Sequence, residues 1–350
     1  MYSALRPLIW RKVVIAGEAA AGFVETLGRD SLCAGFIKEL ECFAISQDSL
    51  GKLWPTVPQL VSLSYLYIGG PHPATLQLFM LERLPALTHL HLRYISMDKR
   101  LPKLIRLESL CLEGIVHVHR PLGQDIPILA DAILTQYSHA SVKTLSLCSL
   151  SIGVWGGDVL RKEYCIAALN KVDVAELDAT SFSGIRTGLT GDLNTIQSHL
   201  ILKAYSHDIS ALLDSGCLVN DVPDKFSVWI KDDLDHDSEL RSCVMRALSG
   251  LNERIREHSI KVASLTLPVH WGQFDSRLNM LDIRQQSYKL LQTAVTYSIP
   301  VRFHDDPPRD DYWSTSRRRN FERREGYFAD LIKGQCTEPG LRDFKIVMVD

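Results

Sequence analysis

The densest group of metal-ligating side chains in the sequence is Lys231-Asp232-Asp233-Leu234-Asp235-His236-Asp237. Calcium and magnesium are hard cations held by several oxygen ligands, which clustered aspartates supply. The segment lacks the glycine turn and distal glutamate of an ordered calcium loop, so a solvated loop is expected there. His117 and His119 lie two apart, on one face of a strand-like stretch, but no further ligands lie close by in the sequence. His270 with Asp275, and Cys165 with any histidine, have the residue types of acid–base or thiol chemistry. No nucleophile motif surrounds them. The run Gly17 to Gly22 has neither the Lys-Ser/Thr of a phosphate loop nor dinucleotide glycine spacing, and is expected to start a helix containing Phe23, Val24 and Leu27. Arg317-Arg318-Arg319 and Arg323-Arg324, with Phe321 and Tyr327, suit phosphate contact and base stacking. Yet Phe321, Phe328, Leu331 and Ile332 recur at helix-compatible spacing, which puts the arginines on the solvent side of a capping helix, near Asp305, Asp306, Asp310 and Asp311. Trp155, beside Gly153, Gly156 and Gly157, suits either a loop contact or a buried anchor. The expectation is therefore a protein with no catalytic, cofactor-binding or metal-binding residue, and not an enzyme. The rival readings are a metal-dependent enzyme using the aspartate loop and a nucleic-acid binder using the terminal arginines.

The composition supports a folded chain. Of 350 residues, 46% are hydrophobic and 23% charged, close to the average for globular proteins. Lys and Arg total 39 against 41 for Asp and Glu, and the formal charge of -2 provides no general attraction to nucleic acid or anionic lipid. No apolar run approaches the roughly 20 residues of a membrane-spanning helix. The first residues, Met1 to Trp10, have no secretory-signal pattern, and the 8 cysteines are scattered singly without zinc-ligand spacing. An intracellular location, cytoplasmic or nuclear, with reduced thiols is expected.

The elements that would position a binding surface are set by a repeated L-x-x-L-x-L pattern, the strand half of a leucine-rich repeat. Clear copies are Leu63, Leu66 and Ile68; Leu87, Leu90, Leu92 and Ile95; Leu107, Leu110, Leu112 and Ile115; and Val142, Leu145, Leu147 and Leu150. The anchors Leu66, Leu90, Leu110 and Leu145 are spaced by 24, 20 and 35 residues, against about 20 to 29 for such repeats, so insertions are expected. Weaker copies are Ile37, Leu40 and Cys42; Leu169, Val172 and Val174; Leu200 and Leu202; Phe226, Val228 and Ile230; and Val262, Leu265 and Leu267. Helical stripes alternate with them, at Leu129 to Tyr137, at Leu240 to Ile255 and at Leu290 to Val295, with Leu76, Phe79, Met80 and Leu84, and Ile209, Leu212, Leu213 and Cys217, fitting the same role. One strand plus one helix cannot cover its own apolar face, so each unit must stack on its neighbours. Turn formers at Gly69-Gly70-Pro71-His72-Pro73, 153–157, 181–191 and 304–311 mark the expected breaks.

The stretch Leu5-Arg6-Pro7-Leu8-Ile9-Trp10-Arg11-Lys12-Val13-Val14-Ile15 resembles the strand that follows the F-box in fungal F-box proteins with leucine-rich repeats. Leu84-Pro85-Ala86-Leu87-Thr88-His89-Leu90-His91-Leu92 and Leu107-Glu108-Ser109-Leu110-Cys111-Leu112 are similar to that family's degenerate repeats. The resemblance implies a substrate-recognition module of a cullin ubiquitin ligase, in which the F-box docks on a Skp-type adaptor. About a dozen residues precede the first strand-like stretch, too few for a complete docking bundle, so adaptor binding is not expected.

The resulting expectation is an α/β irregular leucine-rich-repeat solenoid with parallel strands on the concave side and helices on the convex side. Residues 1–35 form an N-terminal cap, 36–303 the degenerate repeats, and 304–350 a C-terminal cap with an amphipathic helix. Side chains between the anchors should face an unidentified protein partner, namely Tyr65, Tyr67, His89, His91, Glu108 and Cys111. No cofactor, membrane or nucleic-acid partner is expected.

Overall fold

A computed structural model describes residues 2–76, 78–97, 104, 106–117, 142–149, 169–188, 196–218, 223, 225–231, 238–268, 281–304 and 347–349. It is an α/β fold whose chain divides into two compact units, Met1–Leu189 and Thr190–Asp350. The repeat pattern gives no sign of that division.

The first unit opens with helix α1 (Tyr2–Ile9), followed by strand β1 (Lys12–Ala16), α2 (Ala20–Arg29), β2 (Glu39–Phe43), α3 (Gln47–Leu53), β3 (Tyr65–Thr75) and β4 (His89–Met97). It continues with β5 (Ser109–Glu113), β6 (Val116–His117), β7 (Thr144–Cys148), β8 (Val174–Leu177) and α4 (Ala179–Gly188). From β1 to β5, and on through β7 to β8, each strand pairs in parallel with the next one along the chain, while β6 pairs with the end of β4. Parallel neighbours require a return connection across the sheet face. From β1 to β4, α2, α3 and three-residue-per-turn helices at Ser31–Phe36, Trp54–Gln59 and Leu78–Arg83 supply it.

Register follows from the alternation of side chains along each strand. Leu40, Leu66, Leu90, Leu110, Leu145 and Ala175 form one buried row. Cys42, Ile68, Leu92, Leu112, Leu147 and Leu177 form the next. Burial of each such leucine contributes about 1.5 to 3 kcal/mol, and the buried positions stay in register from strand to strand, so the interior is continuous along the unit.

Two further rows repeat with the strands. At strand entry, Ser64 N–H donates to the Lys38 carbonyl, Thr88 to Ser64, Glu108 to Thr88, Lys143 to Glu108 and Asp173 to Lys143, at 2.7 to 2.9 Å. The backbone turns through the left-handed region just after β1, β2, β5 and β7, at Gly17, Ala44, Gly114 and Ser149, and at the equivalent place within β4, at Tyr94, with φ between 50° and 56°. Each follows a registered strand position, and Ile45, Ile95 and Ile115 then drop into the core. Non-glycine residues tolerate that conformation at a cost of about 1 to 2 kcal/mol, so its recurrence marks the same bend in successive repeats.

Several expectations are corrected. The stretch from Leu5 to Ile15 is not a single strand: its first part lies in α1, and only Lys12–Ala16 is strand, already paired with β2. Val174 is no anchor. It lies in the register row of Thr144 and Ser109, while Ala175 and Leu177 are buried, so the template continues as Val172, Ala175 and Leu177. Gly69 to Pro73 does not break the structure but forms an irregularity within β3, where the pairing with β4 shifts between Gly69 and Ala74. Of the Leu76 to Leu84 stripe only Leu78–Arg83 is helical, as a short tight helix; Leu76, Leu81 and Leu84 are buried and Phe79 exposed. The stripe at Leu129 to Tyr137, the breaks at 153–157 and 305–311, and the C-terminal capping helix lie outside the described residues.

The second unit contains β9 (His199–Tyr205), α5 (Ser206–Asp214), β10 (Phe226–Lys231), α6 (Ser238–Arg256), β11 (Ser264–Pro268), α7 (Leu281–Thr296), β12 (Val301–His304) and β13 (Val347–Val349). Its strands again pair in parallel in chain order. Leu200, Leu202 and Ala204 align with Phe226, Val228 and Ile230, and Val228 with Leu265, all buried. The expected stripes bury Val244, Ala247, Leu248, Leu251 and Ile255 on α6, and Leu290, Leu291 and Ala294 on α7. Polar contacts link the helices: Ser210 Oγ donates to the Cys243 carbonyl at 2.8 Å, and Thr293 Oγ1 to Asn252 Oδ1 at 2.5 Å. Among the described residues no helix is long and apolar enough to cross a membrane.

Candidate functional site

The positions between the anchors occupy the opposite side of the first unit's sheet from the leucine rows. One outward row runs Lys12, Glu39, Tyr65, His89, Ser109, Thr144 and Val174. The next runs Val14, Glu41, Tyr67, His91, Cys111, Ser146 and Glu176. Five of the six residues expected to meet a partner therefore fall in two adjacent rows, because β3, β4 and β5 carry them at equivalent alternate positions. Glu108 stands just before β5, at strand entry, with its carboxylate 3.5 Å from Lys143 Nζ.

At the centre of the face is an aromatic cluster. Tyr67 packs between Phe43, with ring centroids 4.6 Å apart, and His91, edge-on at 4.6 Å. Tyr65 and His89 lie 6.3 Å apart in the neighbouring row. Tyr67 is only 6% exposed, so it builds the face and presents little surface to a partner, unlike exposed His89 and half-buried Tyr65 and His91. Gly69 explains the burial. It lies two residues along the same strand, and the Tyr67 phenol occupies the space its missing side chain would fill: a Cβ there would meet Tyr67 Cζ at 2.9 Å.

The Glu113 carboxylate lies between His91 Nε2 at 3.4 Å and Arg93 Nε at 3.1 Å, and Arg93 also lies 5.1 Å from the Tyr94 ring centroid. The His91 and Arg93 nitrogens are both buried at ion-pair distance from Glu113, yet neither makes a well-aligned hydrogen bond. Burial opposes the Arg93 charge, but hydrogen bonding with Tyr67 and the charge of Glu113 outweigh it and hold the guanidinium protonated. Burial pushes the Tyr65 hydroxyl up to about 12, with Glu41 adding to the effect. Tyr67 is raised for the same reason, with Arg93 opposing. Lys12 pairs with Glu41 at 2.7 Å at the edge of the face.

Cys111, His91 and Glu113 together have the residue types of thiol catalysis. Burial pushes the Cys111 thiol up to about 12, opposed by hydrogen bonding from Ser146 and reinforced by Cys148, Glu113 and Glu176. A thiol so raised stays protonated at neutral pH and is a poor nucleophile. The arrangement suits noncovalent recognition: aromatic edges, a fixed guanidinium and carboxylates on a rigid sheet.

The outward face of the second unit carries residues that no sequence motif marks. Lys203 Nζ lies 4.1 Å from the centroid of Trp229, its register partner, and Lys231 Nζ lies 5.3 Å from the ring of Tyr205, also its register partner. His199 Nε2 contacts Ser227 Oγ at 2.7 Å, which contacts Ser264 Oγ at 2.7 Å. Strand alternation in His199-Leu200-Ile201-Leu202-Lys203-Ala204-Tyr205 and Phe226-Ser227-Val228-Trp229-Ile230-Lys231 is the signal that locates them.

His117 ends β6, while His119, Trp155, Cys165, Asp232 to Asp237, His270, Asp275 and the arginines from Arg317 to Arg324 lie outside the described residues. Among the described residues no group of three or more His, Cys, Asp or Glu is placed to hold a metal ion.

Fold and face together define an α/β protein with successive parallel strands and a side-chain array on the sheet face opposite the buried anchors. No family model matches the chain, and no curated protein matches it.

Proposed function

We propose that the chain is a protein-binding module of the leucine-rich-repeat type, with no catalytic role, that uses the outward strand face of its first unit to capture a partner polypeptide. The observation that carries this reading is the cluster of Phe43, Tyr67, His91 and Arg93, in which Tyr67 and His91 are register partners, flanked by Tyr65 and His89. Aromatic residues and arginine on a rigid platform are the composition of binding hot spots, because they bury much area at little entropic cost. The similarity of the repeats to fungal F-box proteins extends the proposal to substrate recognition for a cullin ubiquitin ligase. A stand-alone scaffold without a ligase role is the alternative.

Affinity capture with the full chain and mass spectrometry tests both levels. A reproducible partner recovered by the wild-type chain and lost in the Tyr65→Ala/His89→Ala/His91→Ala variant, with folding unchanged, supports the face. Undiminished recovery rejects it. Co-recovery of a Skp-type adaptor supports the ligase role, whereas a partner without adaptor supports the scaffold.

A further inference from the structure

The outward positions of β9 to β12 differ in charge from those of the first unit. In the first unit, Lys12 and Arg93 share the face with Glu39, Glu41, Glu113 and Glu176. In the second, Lys203, Lys231 and Arg302 stand at outward register positions, and no carboxylate occupies such a position on the described residues of these four strands. The register runs Lys203, Trp229, Thr266, Arg302 along one row. Neighbouring strands are about 4.8 Å apart, so these cations are concentrated on a small area. The whole chain has a formal charge of -2, so the positive face is a local arrangement and not a consequence of composition.

We propose that this face docks an acidic stretch of a partner polypeptide, whose carboxylates meet Lys203, Lys231 and Arg302. The inference rests on the reading of the chain as a binding protein and gives the second unit a partner chemistry. Like charges held together repel, and an anionic partner relieves that repulsion while the positive field steers its approach. The electrostatics at His199 agree: burial lowers its pKa, and Arg302 and Lys225 lower it further. A basic face with aromatic residues also suits single-stranded nucleic acid, but base stacking needs open ring faces. Here Trp229 is engaged by Lys203, and Tyr205 by Lys231 and by a stacked His207 at 5.7 Å. An ammonium seated on a ring face keeps N–H donors that suit a carboxylate, and Arg302 is exposed.

Fluorescence anisotropy with the full chain tests the proposal, using a labelled peptide of alternating glutamate and serine, its glutamine counterpart and a short oligodeoxythymidylate. The glutamate peptide is expected to bind at least about tenfold more tightly than the glutamine peptide, with affinity falling as salt rises. The Lys203→Gln/Lys231→Gln/Arg302→Gln variant should lose about tenfold or more, whereas the Tyr65→Ala/His89→Ala/His91→Ala variant should bind the peptide normally. Equal affinity for the two peptides, unchanged affinity in the folded lysine and arginine variant, or tighter binding of the oligodeoxythymidylate would each overturn it. If the triple glutamine variant does not fold, the peptide comparison on the wild-type chain decides. Normal peptide binding alongside undiminished partner capture by the Tyr65/His89/His91 variant would count against the first unit's face alone.

Discussion

The Tyr67 ring stands edge-on to His91, its register partner on the next strand, with 4.6 Å between ring centroids. The contact depends on Gly69, over whose backbone the phenol lies. Gly69→Ala should therefore drive the ring out of its slot between Phe43 and His91. Overpacking of this kind costs about 1 to 3 kcal/mol, so urea denaturation of the variant should show a lowered midpoint with an unchanged slope. A midpoint equal to wild type would show that the ring has somewhere else to go.

The continuous interior predicts severe effects from single anchors. Leu110 is fully buried between Leu90 and Leu145, and Leu110→Ala should cost about 2 to 5 kcal/mol. Leu110→Asp buries a carboxylate without a partner and should abolish soluble protein. A soluble Leu110→Asp protein with wild-type melting would contradict the assignment of that row.

How much of this was legible in the sequence depended on side-chain size and on distance along the chain. Leu66, Leu90, Leu110 and Leu145 are large and aliphatic and each carries the same local aliphatic-x-aliphatic spacing despite uneven intervals, so their rows could be traced directly. Ala175 is small, so the template settles three residues early, on Leu169, Val172 and Val174, and Val174 belongs to the opposite face. The outward positions Tyr65, His89, His91 and Cys111 were found because alternation is a local rule. The burial of Tyr67 was not, since it needs Phe43 and His91 from neighbouring strands and the missing Cβ of Gly69. The cation–aromatic pairs of Lys203 with Trp229 and Lys231 with Tyr205 were hidden for the same reason: each joins two strands whose register no sequence pattern states.

Thiol chemistry offers an independent check on the face. Burial pushes Cys42 and Cys111 up to about 12 each. Both should resist iodoacetamide in the folded protein at mildly alkaline pH and react on unfolding, as followed by mass spectrometry. Rapid alkylation of Cys111 in the native state would indicate an activated thiol and favour the enzymatic alternative.

His199 predicts a pH dependence of stability. Its pKa is lowered on folding by burial, then by Arg302 and Lys225, from an ordinary value of 6.5. The unfolded chain thus binds the proton more readily, so the contribution is fully present above pH 6.5 and is lost as pH falls through the folded pKa. Thermal melting of His199→Gln should lose part of the wild-type decline in that acidic window. Identical pH profiles would remove His199 from the account.

Side-chain oxidation by hydroxyl radicals, with and without a captured partner, tests the central claim most directly. Exposed Phe43 and His89 and half-buried Tyr65 should be protected on complex formation, while exposed Phe79, on the connection between β3 and β4, should oxidise as before. Protection of Phe79 with Phe43, Tyr65 and His89 unchanged would place the partner elsewhere and contradict recognition through the strand face.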